Sequence, residues 1–404
     1  MNIILPILLG MLFVILPLGD ITRLQFNNGI AISALDAIAG LIFILIIIQY
    51  THKKTYLETS LFIPTALFIG VCVLSLLVNI PSLNFFQFCV SALYIVRFVS
   101  YSSIYIFIAR LDQKMKRHIP YFLAGSGFFF VVCGFVQYFL FPNLKSLFHL
   151  GWDEHYLRLF STFFDPNFAG IFLVLYFLFL LDIFLKLFKG KKNTTVILLV
   201  FMLLTTCLAI FFTLSRDSFI ALAISLFTYL LLQRTKNRFS IFGIVMVLLA
   251  ISIFFLRNLP TEGAHMLRIP SSIARIDQAQ RAFTIFSEHP VLGVGFNAYR
   301  YAQFKRGYLG LTSWQSSHAA AGTDTSFLFV LATTGIIGFT AYCYLLYKMS
   351  LFALQRKSEF SVLAFSSLVA LLVSSFFINS LFYAPFLVWM WILFGLIENF
   401  AGVY

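Results

Sequence analysis

Two arginines, an aspartate and a histidine are the residues of this chain best suited to chemistry. Arg275 opens the run RIDQAQRAFTIFSEHPVLGVG, and His318 and Asp324 precede the apolar stretch LFVLATTGIIG. Arg216 stands apart, in TLSRDS. A guanidinium presents a planar fork of donors that matches phosphate or carboxylate oxygens. A carboxylate or an imidazole can accept the proton of a hydroxyl. The plain readings stand beside these: an aspartate at a helix start is commonly a cap, and a histidine in a polar stretch is commonly surface.

Helical spacing separates the arginines by face. At about 100° per residue, Ile276, Ala279, Phe283 and Phe286 form an apolar stripe about 80° wide. Arg275 falls at its edge, turned towards the body of the protein, where a cation needs a structural carboxylate or a bound phosphate. Arg281 projects with Asp277, Thr284 and Glu288, as a solvated, salt-bridged residue. Gly293-Val294-Gly295 lacks a preceding strand, so it reads as a turn after Pro290 rather than a nucleotide loop. In TLSRDS, Ser215 or Asp217 can cap a following helix, whose positive end together with Arg216 suits an anion. The alternative is an arginine snorkelling at a membrane surface.

The elements that carry these residues follow from composition. Of 404 residues, 61% are hydrophobic and 11% charged, with 52 Phe. Many apolar runs reach the roughly 18 residues a helix needs to cross hydrocarbon, and none alternates like a barrel strand. The expectation is an all-α polytopic membrane protein with about twelve spans. They fall near 2–18, 31–50, 61–79, 88–108, 120–141, 166–186, 195–213, 217–233, 240–257, 325–347, 360–380 and 384–402. The chain reads as one membrane domain, 1–404, with a loop subdomain of short helices at 258–323. Lys and Arg concentrate in every second connection, which places those connections and both termini in the cytoplasm and the long loop outside. The net charge of +13 is then a topology signal, and a nucleic-acid partner is not implied. All five cysteines lie in predicted spans, where a disulfide staple has no use.

Inside a span, a charged residue is the exception that needs a reason. Arg97 lies in the fourth run, and Tyr94, Tyr101 and Tyr105 project within roughly 80° of it. That face suits a polar cavity, with Asp36 as a candidate counter-ion; a structural clasp between helices is the other reading.

The order of the motifs carries a resemblance. Arg158-LFSTFFDPNFAG, then TLSRDS, then R-x(13)-HP-x2-G-x-G from Arg275 to Gly295, then a polar pair followed by GIIG, resembles the bacterial O-antigen ligase and polymerase superfamily over roughly 155–345. The resemblance implies a metal-independent, inverting glycosyltransferase without a cofactor. It implies an undecaprenyl-diphosphate-linked glycan donor, a glycan acceptor, and action at the outer face of a bacterial cytoplasmic membrane. It makes Arg216 and Arg275 the contacts of the donor diphosphate, and its motifs include Arg158 and Asn167 as candidate substrate contacts; Arg97 and Tyr101 join them from the polar face of the fourth run. The ligase branch has a His-Asn pair nine residues before a glycine, and counting back from Gly335 puts Asp324-Thr325 there. That departure points to a polymerase-like member with Asp324, or else His318, as proton acceptor. A flippase and a chain-length regulator are the partners this implies. A lipid-linked-sugar transporter is the rival of another class, but it has no need of a folded loop on one side.

Overall fold

A computed structural model describes residues 4–26, 29–53, 59–187, 193–234, 238–256, 269–310 and 322–398. Within them the chain forms α1 (Ile4–Ile15), β1 (Leu24–Gln25), β2 (Ala31–Ile32), α2 (Ala34–Lys53), α3 (Phe62–Val78), α4 (Phe85–Ala109) and α5 (Gln113–Leu140). It continues with α6 (Pro166–Leu187), α7 (Asn193–Thr213), α8 (Arg216–Leu232), α9 (Arg238–Leu256), α10 (Ile269–Glu288), α11 (Tyr299–Lys305), α12 (Ser326–Gln355), α13 (Ser361–Ser374) and α14 (Ala384–Ile397). The all-helical expectation holds, apart from a two-residue-per-strand antiparallel hairpin that pairs Leu24 with Ile32.

Among the described residues, seven helices are long and apolar enough to cross a membrane: Ile4–Thr22, Ala34–Thr51, Phe85–Ala109, Gln113–Leu140, Pro166–Leu187, Thr194–Thr213 and Ser326–Gln355. Three further apolar helices, Phe62–Val78, Ser361–Ser374 and Ala384–Ile397, are shorter. The difference from twelve comes partly from breaks the hydropathy pattern does not show. The run expected at 360–380 stops being helical after Ser374, and a short turn at Ser380–Phe382 leads into α14. At 1.5 Å per residue, a 14-residue helix spans only about 21 Å.

Two compact units divide the chain. The first takes residues 1–22, 112–268 and 359–374. Its centre is α6, in which every residue from Ala169 to Asp182 is buried. A helix apolar all round belongs in such an interior, and α7, α8 and α13 pack on it. Gly170 permits one of these approaches, because a Cβ there would run into the side chain of Ser218 on α8.

The second unit takes 23–111, 269–358 and 375–404. In it α4 packs on α2 and α14, α12 on α3, and α10 on α12. Asn84 starts α4 with a capping box, its side chain accepting from Gln87 N at 2.8 Å. Of the long polar stretch 258–323, α10, the turn after it and α11 are described. His318 lies outside the described residues.

Candidate functional site

The second unit holds its polar loop in place by breaking a helix. At Gly335, φ is 64° and ψ −166°, inside α12. In an unbroken helix, Ile336 N and Ile337 N would donate to Ala332 O and Thr333 O. Here they donate to Pro290 O at 2.9 Å and Val291 O at 3.3 Å. The two abandoned carbonyls accept from Val294 N at 3.1 Å and Gly295 N at 3.0 Å. Four backbone groups that lost helical partners thus find new ones in the turn, as a low-dielectric setting requires. The turn of HP-x2-G-x-G is therefore a docking segment, and its glycines serve close approach. A Cβ on Gly293 would collide with the Thr333 backbone, and one on Gly335 with Val291. The end of α3 adds two clasps: Ser75 Oγ donates to Leu292 O (2.6 Å) and to Thr333 O (2.9 Å), and Asn79 Nδ2 to Gly293 O (3.0 Å).

That junction fixes α10 beside the start of α12, and with it Arg275. Its Nε stands 4.0 Å from Asp324 Oδ2, and the two side chains are 33% and 40% exposed. The carboxylate anticipated as Arg275's partner is thus Asp324. The N-cap position of α12 is Thr325, one residue later, and its side chain makes no capping hydrogen bond. Arg281 pairs with Asp277 at 2.6 Å, as its spacing implies, and donates to Tyr308 O at 3.1 Å. Nearby, burial pushes the Tyr299 phenol above its ordinary range against the pull of Arg281, while Tyr308 and Asp324 add to the rise.

One expectation about α10 changes. Among its described side chains α10 buries Ala282 and Ile285, whereas Ile276 and Phe283 of the proposed apolar stripe are exposed. Periodicity locates apolar residues, but around a membrane it does not say which of them face protein.

Arg97 is held by a clasp. Its Nε lies 2.6 Å from Asp36 Oδ1, which also accepts from Tyr101 Oη at 2.7 Å. The Tyr94 and Tyr101 rings stand 5.6 and 5.8 Å from the guanidinium carbon. Tyr105, expected on the same face, instead donates to Glu398. Sequence reasoning passed over Arg300, on α11. Burial lowers its pKa, the phenols of Tyr94 and Tyr301 oppose that, and Arg23 adds to it. The signal available was Tyr-Arg-Tyr directly after the G-x-G turn.

In the first unit, Asp165 Oδ1 accepts from Asn167 N at 2.6 Å and Phe168 N at 3.2 Å, capping the start of α6. Ser215 precedes α8, and its hydroxyl lies 3.0 Å from Asn167 Oδ1 and is hydrogen-bonded to Asp217. The starts of α6 and α8 are thereby tied together at Asn167, with Arg216 the first residue of α8. Arg158 is 4% exposed and donates to Thr213 O at 2.9 Å and Leu214 O at 3.4 Å. A cation on the last carbonyls of a helix is favourable, and Leu214 has a left-handed φ of 51°. Arg158, expected as a substrate contact, thus also braces the turn that precedes Arg216.

These features define a class: a polytopic helical membrane protein whose polar loop is hydrogen-bonded to a broken helix, with a half-buried Arg–Asp pair between the loop and the start of that helix. Residues 197–343, from α7 into α12, match the family model described as O-Antigen ligase. The match supports the O-antigen ligase/polymerase superfamily, and with it a membrane enzyme of glycosyl transfer in O-antigen or polysaccharide assembly. It contains Arg216, Arg275, the docking turn, Asp324 and Gly335. Comparison with curated proteins returned no match.

Proposed function

We propose that the protein polymerises undecaprenyl-diphosphate-linked oligosaccharide repeats into surface polysaccharide at the outer face of a bacterial cytoplasmic membrane. The observation that carries this reading is the Arg275–Asp324 pair, loose at 4.0 Å and half-buried, on two elements joined by backbone hydrogen bonds. A carboxylate engaged by a guanidinium is a poor proton acceptor. When the donor diphosphate takes Arg275, Asp324 is released to act as one. An acceptor sugar hydroxyl then attacks the anomeric carbon from the face opposite the diphosphate. The new C–O bond forms as the bond to the diphosphate breaks, and the hydroxyl proton passes to Asp324. Arg275 stabilises the negative charge that grows on the leaving group. Arg216 is proposed separately as a phosphate contact, because the positive end of α8 reinforces its guanidinium. His318 is the alternative proton acceptor. A flippase that supplies the lipid-linked repeats and a regulator of chain length are the partners this reading requires.

The family's description as O-Antigen ligase favours a second reading, a ligase that transfers the finished glycan to lipid A-core. Deleting the gene separates the two. Polymerisation predicts glycan of a single repeat, still attached where a separate ligase exists; accumulation of long lipid-linked chains with no attachment supports the ligase. Arg275→Ala is expected to abolish extension, whereas Arg281→Ala, whose partners are Asp277 and Tyr308, is expected to be mild. Equal loss from both, at equal protein levels, would overturn the role given to Arg275.

A further inference from the structure

The exposed apolar stripe of α10 is the strongest feature that the proposed reaction leaves unused. Ile276 and Phe283 are 59% and 58% exposed, and at about 100° per residue they project within about 20° of each other. The buried pair, Ala282 and Ile285, points about 140° away from them. Asp277, Thr284 and Glu288 are also exposed and point about 100° away on the other side. The helix thus has three faces, one on protein, one polar, and one apolar, with exposed Gln280 and Ser287 between the last two. Ala279 and Phe286 are half-buried and bridge the protein and apolar faces.

The end of α10 shows what meets the third face. The hydrogen bonds at the junction set Pro290 and Val291 directly against Ile336 and Ile337 of α12, one of the candidate spans. Val291, Ile336 and Ile337 are themselves exposed. Past Ser287, Glu288 and His289, which are exposed, the stripe is followed by Val291 and by the exposed apolar surface of this candidate span. An amphipathic helix of low net hydrophobicity with one apolar face is the form that lies in the plane of a bilayer interface.

We infer that α10 is an interfacial helix, seated along the membrane surface with Ile276 and Phe283 in the lipid and Asp277 and Thr284 in water. Arg275 falls between the protein face and the lipid face of the helix, about 90° from the stripe. If the donor reading above is right, on which this consequence rests, a lipid-linked diphosphate reaches Arg275 sideways at headgroup depth. Its polyprenyl chain then need not leave the bilayer.

The test uses the full chain with its five native cysteines replaced by serine or alanine. Ile276→Cys, Phe283→Cys, Asp277→Cys and Thr284→Cys are made singly, spin-labelled and reconstituted in phosphatidylethanolamine–phosphatidylglycerol vesicles. Collisions with oxygen and with a water-soluble nickel chelate are then measured. Labels at 276 and 283 are expected to be oxygen-rich and nickel-poor, with the reverse at 277 and 284. Nickel access at all four positions would overturn the proposal in favour of a water-facing helix. Protection of 276 and 283 from both reagents would overturn it in favour of a protein cover such as a second copy. Phe283→Trp, close in shape, gives an independent reading: its added fluorescence is expected to be quenched by lipids brominated near the headgroup, and no quenching counts against the proposal. None of these readouts needs turnover. An inactive Arg275→Ala enzyme leaves them unchanged, and negative collision data leave the transferase reading standing.

Discussion

Replacing Gly335 by alanine tests whether the broken helix holds the loop. The backbone there, at φ 64° and ψ −166°, is a region only glycine occupies readily, and a side chain forced into it costs about 1–3 kcal/mol. The added Cβ also falls on the backbone of Val291 and Leu292. Those atoms belong to the docked turn, so they cannot swing aside as a flexible side chain can. The chain must keep the strain or open the junction. Opening gives up the four backbone hydrogen bonds between 290–295 and 332–337. At about 0.5–1.5 kcal/mol each, that is a loss of about 2–6 kcal/mol, and more where no water replaces them. Gly335→Ala is therefore expected to lower stability in detergent unfolding by several kcal/mol. It should also speed amide exchange at Val294, Gly295, Ile336 and Ile337, and reduce glycan transfer because Arg275 is no longer held near Asp324. Gly70→Ala, on an exposed helical position with nothing within 4 Å of the added Cβ, is the control and is expected to be neutral or slightly stabilising. A Gly335→Ala protein as stable as that control, with normal exchange and normal glycan, would refute the reasoning.

Two further substitutions separate chemistry from architecture. Asp324→Asn is expected to leave protein level and stability near normal, since asparagine serves a helix start about as well as aspartate and a partly exposed ion pair contributes only about 0–1 kcal/mol. Transfer should fall about 100-fold or more if the carboxylate is the proton acceptor; near-normal transfer moves that role to His318. Arg158→Gln should lower stability by about 1.5–3 kcal/mol through loss of its charged hydrogen bonds to Thr213 O and Leu214 O. Reduced transfer by an Arg158→Gln protein of unchanged stability would support Arg158 as a substrate contact.

The sequence by itself determined what depends on composition and near neighbours. Membrane class follows from long apolar runs, which only helices can satisfy in lipid when alternation is absent. The Arg281–Asp277 pair follows from its i, i+4 spacing, and the turn at Gly293-Val294-Gly295 from Pro290 and the glycines. Asp36 was also within reach of the argument, because an arginine inside a span demands a carboxylate and few exist. Other features needed the tertiary structure, because each joins residues far apart in the chain. Nothing near Arg158 announces that it closes the end of α7, and nothing near Tyr105 announces Glu398. The face of α10 that meets protein was equally hidden, since lipid and protein interior select the same apolar side chains. The break at Gly335 reads locally as one glycine in a helical run. Only the turn from Pro290 to Gly295, carrying the complementary donors and acceptors, makes it a junction. Whether a buried backbone group is satisfied depends on both segments at once, and neither stretch of sequence contains the other.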